Sequence, residues 1–379
     1  MKIILKSLGY SFLFILIVAC SQKPTTEKLE GISELKLTEI KRLPKEQLSV
    51  FDLIPLETTS ENLMGLDLRI RTSSEYFFVF DEAIQDCVHQ FEKDGRYLGR
   101  RAIVGEGPNT LLRLNDFYVS EDGNLEVLNS LGDQAEVFQV GVDNSIRSIF
   151  KVDYIPSSFT KLATGDYLLY GGYNLPFVSH RLIRTDSTGL VQEKYLENNY
   201  SNKMLPMTER NFFEGNSHLK IIETFNKQGY QFGGSELKPE VTMDFGRYSI
   251  PAKFWEMDLL EGGFELIEEN GFANLDGYFE SEDLTLLSVH IQKPEGIFKN
   301  LLFVDKNSGE KRILETSLSG DYLFHYPFGV EENHILFLSY QSVLKKEFGE
   351  NLSQDLLAKI PDQEYDYPVL MKVKISSFK

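Results

Sequence analysis

The sequence predicts an all-β fold, a six-bladed β-propeller of four-stranded antiparallel blades whose ring is closed by an N-terminal strand. Three observations carry this. One pattern of short apolar strands and glycine-bearing turns is played twice between residues 68 and 151. Comparable units begin near residues 68, 115, 158, 211, 271 and 322, a pitch of tens of residues that suits blade arrays. An apolar stretch at residues 50–57 has no hairpin mate beside it. Composition agrees. Apolar residues make up 42% and charged residues 25%, the balance of a globular chain. With 28 Phe and 18 Tyr against 1 Trp, the chain is rich in residues that suit half-buried sheet surfaces.

The first residues read as an address. Lys2 and Lys6 precede an apolar run over residues 8–19. That run is shorter than the ~20 residues a membrane-crossing helix needs, so it reads as a signal peptide, residues 1–19. It ends in Ile17-Val18-Ala19-Cys20, which resembles the bacterial lipobox, with Cys20 as the lipidated first residue of the mature chain. Several acyl chains on one cysteine anchor firmly, each buried methylene adding ~0.8 kcal/mol. Residues 20–34 then form a polar tether, and residues 35–379 the propeller. Aspartate is absent just after Cys20, so the lipoprotein resemblance implies the outer membrane, on either face. Once Cys20 is lipidated, Cys87 has no disulfide partner, and its apolar strand neighbours make it a buried structural thiol.

Leu35-Lys36-Leu37-Thr38-Glu39-Ile40 alternates as a strand does. Residues 50–57 are expected to pair with the C-terminal strand at 369–375 and so complete the last blade, because an unpaired edge there invites aggregation. Pro55 fits an outer edge, where no ladder donor is needed. The first blade holds residues 68–71, 76–81 and 87–91; the second holds 116–119, 125–128 and 135–140. The third runs through 158–162, 167–170 and 180–184; the fourth through 211–213, 219–222 and 241–246. The fifth has 271–273, 284–289 and 301–305; the sixth has 322–324, 334–340 and 369–375. Stretches such as Phe91-Glu92-Lys93-Asp94-Gly95, Phe225-Asn226-Lys227-Gln228-Gly229 and 304–309 read as one hairpin turn at matching places. Their glycines are structural rather than phosphate-binding. Insertions interrupt the pitch at 195–210, 248–263 and 345–366. The last is expected to hold a short helix over 353–360, capped by Ser353 and stopped by Pro361.

The chain resembles the six-bladed β-propeller lipoproteins of the Bacteroidota, similar in look to TolB-like and NHL-like propellers. The residues carrying this are Ile54-Pro55-Leu56-Glu57-Thr58-Thr59, Gly105-Glu106-Gly107-Pro108 with Asp116-Phe117, and Asp244-Phe245-Gly246-Arg247 with Ile250-Pro251. It departs from the pattern at Asn109-Thr110, where relatives often carry Gly-Glu. The resemblance implies a fold and a place in the cell envelope. It implies no reaction.

A net charge of −18 repels phosphate backbones and excludes nucleic acid as a partner. Six histidines, at 89, 180, 218, 290, 325 and 334, lack the spacing that sets two ligands on one helical face, so no metal site and no cofactor is expected. Ser120-Glu121-Asp122-Gly123-Asn124 lacks the alternating oxygens of a calcium loop and reads as a turn. Neither a Gly-x-Ser-x-Gly elbow nor a phosphate loop is present. Propellers bind over one mouth of the channel. The loops expected there carry Glu106, Asn109, Arg113 and Asn115, then Asn129, Asp133, Tyr173, Asn174, His290, Lys293, Tyr340 and Gln341, polar groups with tyrosines that suit a sugar or peptide. The expected function is a monomeric, non-enzymatic ligand- or protein-binding lipoprotein of the envelope, linked to glycan or peptide uptake. The alternative is a propeller lyase or hydrolase acting on glycans, lactones or peptides, whose catalytic residues no motif identifies.

Overall fold

The computed structural model describes residues 33–174, 177–200, 209–216, 218–318, 323–349 and 352–376. The segment expected to be a signal peptide at 1–19, Cys20, most of the expected tether and residues 201–208 of one insertion lie outside them. No helix among the described residues is long and apolar enough to cross a membrane.

Six sheets form six blades. Two strands precede the first, β1 (Ser33–Lys36) and β2 (Leu48–Pro55). Blade one is β3 (Leu68–Thr72), β4 (Tyr76–Asp81), β5 (Val88–Glu92) and β6 (Tyr97–Arg101). Blade two is β7 (Asp116–Val119), β8 (Leu125–Leu131), β9 (Gln134–Val140) and β10 (Ile146–Val152). Blade three is β11 (Ser158–Lys161), β12 (Tyr167–Tyr170), β13 (His180–Thr185) and β14 (Val191–Glu197). Blade four is β15 (Phe212–Phe213), β16 (Leu219–Ile222), β17 (Gln228–Gly233) and β18 (Glu236–Asp244). Helix α1 (Phe264–Asn270) precedes blade five, which is β19 (Phe272–Glu280), β20 (Leu284–Lys293), β21 (Gly296–Asp305) and β22 (Lys311–Ser317). Blade six begins with β23 (Tyr326–Glu331) and β24 (His334–Tyr340). Helices α2 (Gln341–Phe348) and α3 (Gln354–Leu357) intervene before β25 (Pro368–Ile375).

The ring closes as expected. Strand β2 runs antiparallel to β25 from Leu48 opposite Ile375 to Pro55 opposite Val369, completing blade six. Pro55 ends that outer edge, where a missing N–H costs nothing. Gly95 supports the closure from blade one. Its φ of +92° favours glycine, and a Cβ there would stand 1.9 Å from the Pro55 carbonyl oxygen.

The core is divided among the blade interfaces. Each pair of neighbouring blades shares one buried apolar cluster. The seam between blades six and one is filled by Leu56, Leu68, Ile70, Val79, Leu338 and Leu370. A seventh cluster, with Tyr173, Phe225, Phe254, Leu259 and Ile267, packs the insertion before blade five onto the ring.

Four details differ from the sequence reading. The strand expected over 35–40 ends at Lys36, a 3-10 turn follows over Leu37–Glu39, and β1 lies parallel to β18 as a fifth strand of blade four. The turn at 225–229 joins the second and third strands of its blade, whereas those at 91–95 and 304–309 join third to fourth. The first strand of blade six described is Tyr326–Glu331; of the strand expected over 322–324, residue 322 lies outside the described residues and Leu323 and Phe324 form a turn. The helix expected over 353–360 is shortened to Gln354–Leu357, with an additional helix, α2, ahead of it. Ser353 does cap α3, its hydroxyl accepting from the Leu356 N–H at 3.3 Å.

Candidate functional site

Because each blade runs back and forth through four antiparallel strands, its second-to-third connection and its link to the next blade emerge on one face of the ring. Around that mouth a cavity of about 450 Å³ runs along the inner strands, from Asp67 and Glu82 at the mouth to Thr72 and Glu331 at the far end.

Strand β3 supplies the cations. In Leu68-Arg69-Ile70-Arg71 the two arginines are two residues apart and share one face. Both line the cavity. Arg69 is buried, with its Nε 2.5 Å from Glu82 Oε1 and its Nη1 against Asp116 Oδ1. Arg71 reaches the same Asp116 oxygen at 3.2 Å. Arg210 bridges Glu82 at 3.2 Å and Asp67 at 3.0 Å. The result is an alternating chain, Asp67, Arg210, Glu82, Arg69, Asp116, Arg71. Asp116 also accepts from the Phe159 N–H at 3.0 Å, so one buried carboxylate ties blades one, two and three together.

The groups in this chain are not equally satisfied. Burial alone would raise the Glu82 carboxyl, but the charges of Arg210 and Arg69 outweigh it and hold it at about 2. For Asp67 burial wins over Arg210, and its pKa is raised. Glu209, buried at the same mouth, is also raised by burial, although Asn211 and the Thr224 N–H donate to it at 2.9 and 3.0 Å. Arg71 gives its Nη2 to Asp116, while its Nε is buried without a partner. Deeper in the cavity, Asp276 pairs with Lys299 at 2.7 Å. Burial opposes ionisation of Asp276, yet Lys299 and Ser288 bring its pKa down.

Beside the mouth, a second buried pair joins Arg181 to Glu223 at 2.5 Å. The Arg181 guanidinium lies 4.9 Å from the Tyr173 ring centre and 5.4 Å from that of Tyr200, which stacks on Trp255 at 4.2 Å. Tyr173 stands in the connection between β12 and β13, while Tyr200 and Trp255 come from the insertions at 195–210 and 248–263, so described residues of both insertions roof one side of the mouth.

The residues singled out from sequence stand in loops or strand ends on this face, and none of them lines the cavity. Glu106, Asn109 and Arg113 are exposed in the loop between blades one and two. Asn115 in the same loop accepts from the Ser130 N–H at 2.8 Å. Asn129 sits on β8 with its Oδ1 buried and unpartnered, and Asp133 is exposed at the next turn. Tyr173 and Asn174 are buried beneath the aromatic roof. His290 stands opposite Lys299 across two strands, and Lys293 lies 3.9 Å from the centre of the Phe298 ring. Tyr340 donates to the Gly65 carbonyl, and Gln341 donates to Asp362 at 3.0 Å. The sequence reading missed Arg69, Arg71, Glu82, Asp116, Glu209 and Arg210. Alternation in β3 was the one available signal, since Glu209 and Arg210 end an insertion.

Burial pushes the Cys87 thiol up to about 12, which fits a structural residue rather than a nucleophile. Asp86, Cys87 and His89 nonetheless bring three metal-ligating atom types together, a grouping that the spacing of the histidines did not suggest.

Residues 43–374 match the model of a family described as a domain of unknown function, DUF4934. No curated protein matches the chain. A solved structure of a protein described as exported, from Bacteroides fragilis NCTC 9343, superposes with a TM-score of 0.70 at 16% identity, covering 91% of this chain and all of that one (100%). The extracellular domain of a one-component system from B. thetaiotaomicron gives 0.40 at 10% identity, over 86% of this chain and 42% of that one. A periplasmic gluconolactonase of Pseudomonas aeruginosa gives 0.34 at 14% identity, over 76% and 89%. At 16% identity the likeness to the B. fragilis structure is one of fold alone.

Proposed function

The chain belongs to the DUF4934 family, and we propose that its propeller is a non-enzymatic binding module outside the cytoplasm, taking a polar glycan or peptide at the channel mouth. The observation that carries this is the cavity of about 450 Å³, a volume suited to a small ligand, lined by charges of both signs. Arg71 and Glu209 are the groups with capacity to spare, one a guanidinium with a free nitrogen, the other a carboxyl accepting through one oxygen. The other mouth carboxylates, Asp67, Glu82 and Asp116, are engaged by arginines, which favours binding over hydrolysis there. The exported relative of the same fold supports a place beyond the cytoplasmic membrane. The lipobox at Cys20 supports tethering to the outer membrane, and the acidic surface argues against nucleic acid.

Glycan and peptide arrays probed with the processed chain, followed by calorimetry, test the site. Arg71→Gln is expected to weaken the selected ligand at least ~10-fold, the loss of one charge-assisted contact, with the fold intact. An Arg71→Gln variant that binds as well as the native chain would place the ligand elsewhere. Membrane fractionation tests the anchor: Cys20→Ser is expected to move the protein from the membrane to the soluble fraction. Equal membrane retention of both forms would remove the lipoprotein reading.

A further inference from the structure

We propose that Asp86, Cys87 and His89, at the mouth-side end of blade one, form a site for one divalent metal ion of the zinc class. The three lie in Asp86-Cys87-Val88-His89, where the chain enters β5. An extended backbone puts Cys87 and His89 on one face and Val88 on the other. Val88 accordingly packs into the cluster between blades one and two. One ligand atom from each of Asp86, Cys87 and His89 lies within 4.8 Å of the others.

One edge of this triangle has the right length. Cys87 Sγ lies 3.6 Å from His89 Nε2. Bonds of about 2.3 Å to sulfur and about 2.0 Å to nitrogen, at a tetrahedral angle, set those ligands about 3.5 Å apart. Its Nδ1 lies 3.1 Å from the Tyr97 hydroxyl on β6 and 4.0 Å from Cys87 Sγ, so a turn of the ring that keeps the Tyr97 contact would aim Nε2 at the ion. A partner on the second ring nitrogen is the usual way a ligating histidine is fixed.

The charges also balance. A thiolate and a carboxylate together offset a dication, so the occupied site adds no net charge to a buried position. As the sulfur–metal bond forms, the Cys87 S–H bond breaks and its proton leaves to solvent. Asp86 is the half-exposed member and gives the ion its way in, with a fourth position left for water. Arg100, 3.6 Å from Asp86 and itself half-exposed, is the cation the ion displaces.

Titration with Co²⁺ under reducing conditions tests this, in a chain carrying Cys20→Ser so that Cys87 is the only thiol. The expected result is a near-ultraviolet thiolate-to-cobalt charge-transfer band saturating at one equivalent. Zn²⁺ should bleach it, and about one proton should be released per ion. Cys87→Ser should abolish the band, and Asp86→Asn should weaken binding at least tenfold. Absence of the band in the folded chain would overturn the site and leave the Cys87–His89 contact as a thiol–imidazole hydrogen bond. A band that survives Cys87→Ser, or is indifferent to Asp86→Asn, would overturn it equally. Should Cys87→Ser fail to fold, the parent chain and Asp86→Asn still decide.

Discussion

Glu82 and Glu209 stand at one mouth, and burial acts on both, yet they end on opposite sides of their ordinary range. Glu82 is held at about 2, against 4.5 for a free glutamate, because two arginines reach it. Its contribution to stability is therefore complete above pH 4.5 and is lost as pH falls toward about 2. Glu82→Gln is expected to cost about 3 kcal/mol at neutral pH, the scale for breaking a buried pair from one side. Urea titrations should show that cost shrinking through this window. Among the described residues Glu209 has no arginine salt bridge, and its pKa is raised by burial. Its ionised form costs stability at neutral pH, and the cost fades as acid protonates it. Glu209→Gln keeps the acceptor for Asn211 and Thr224, and should raise the melting midpoint at pH 7 by about 2 °C. The gain should be absent in acid, where the native carboxyl is already neutral. Little of this contrast was legible in the sequence. The pair Arg69 and Arg71 announces itself by alternation, but the residues they meet come from other blades and from an insertion, brought together only by closure of the ring.

Among the elements, β2 was the most legible. A strand with a proline, no hairpin mate and a repeat array after it has one obvious place, the open edge of the last blade. Leu53, 1% exposed, sits on it opposite Met371 and packs in the cluster between blades five and six. Leu53→Ala should cost about 2–5 kcal/mol, and hydrogen exchange should show blades five and six loosening before the others. Strand β1 was misread in length because alternation continues past Lys36, while the backbone turns into a 3-10 helix over Leu37–Glu39. Its parallel pairing with β18 has no local signal, since parallel partners are not joined by a short turn. The α3 cap was legible because Ser353 and Pro361 act locally, whereas α2 carries no side-chain cap at its start. The candidate loops follow the same rule. Topology placed them on the face where the cavity opens, but it does not say which side chains reach the axis, and the cavity is lined mainly by inner strands and the residues just outside them.

At the scale of the whole molecule, six interface clusters make a ring in which each blade is stabilised by both neighbours. The cavity along its axis is lined by charged side chains together with apolar ones, Phe212, Phe279 and Phe328 among them. Aromatic residues of the insertions roof one side of the mouth, which gives the ring one differentiated face. A crystal structure of the chain soaked with its best array-selected glycan or peptide is the most direct measurement of this arrangement. Binding at the channel mouth predicts ligand density between Arg71 and Glu209. Density confined to the outer loops or the blade edges, with the cavity holding only water, would contradict it.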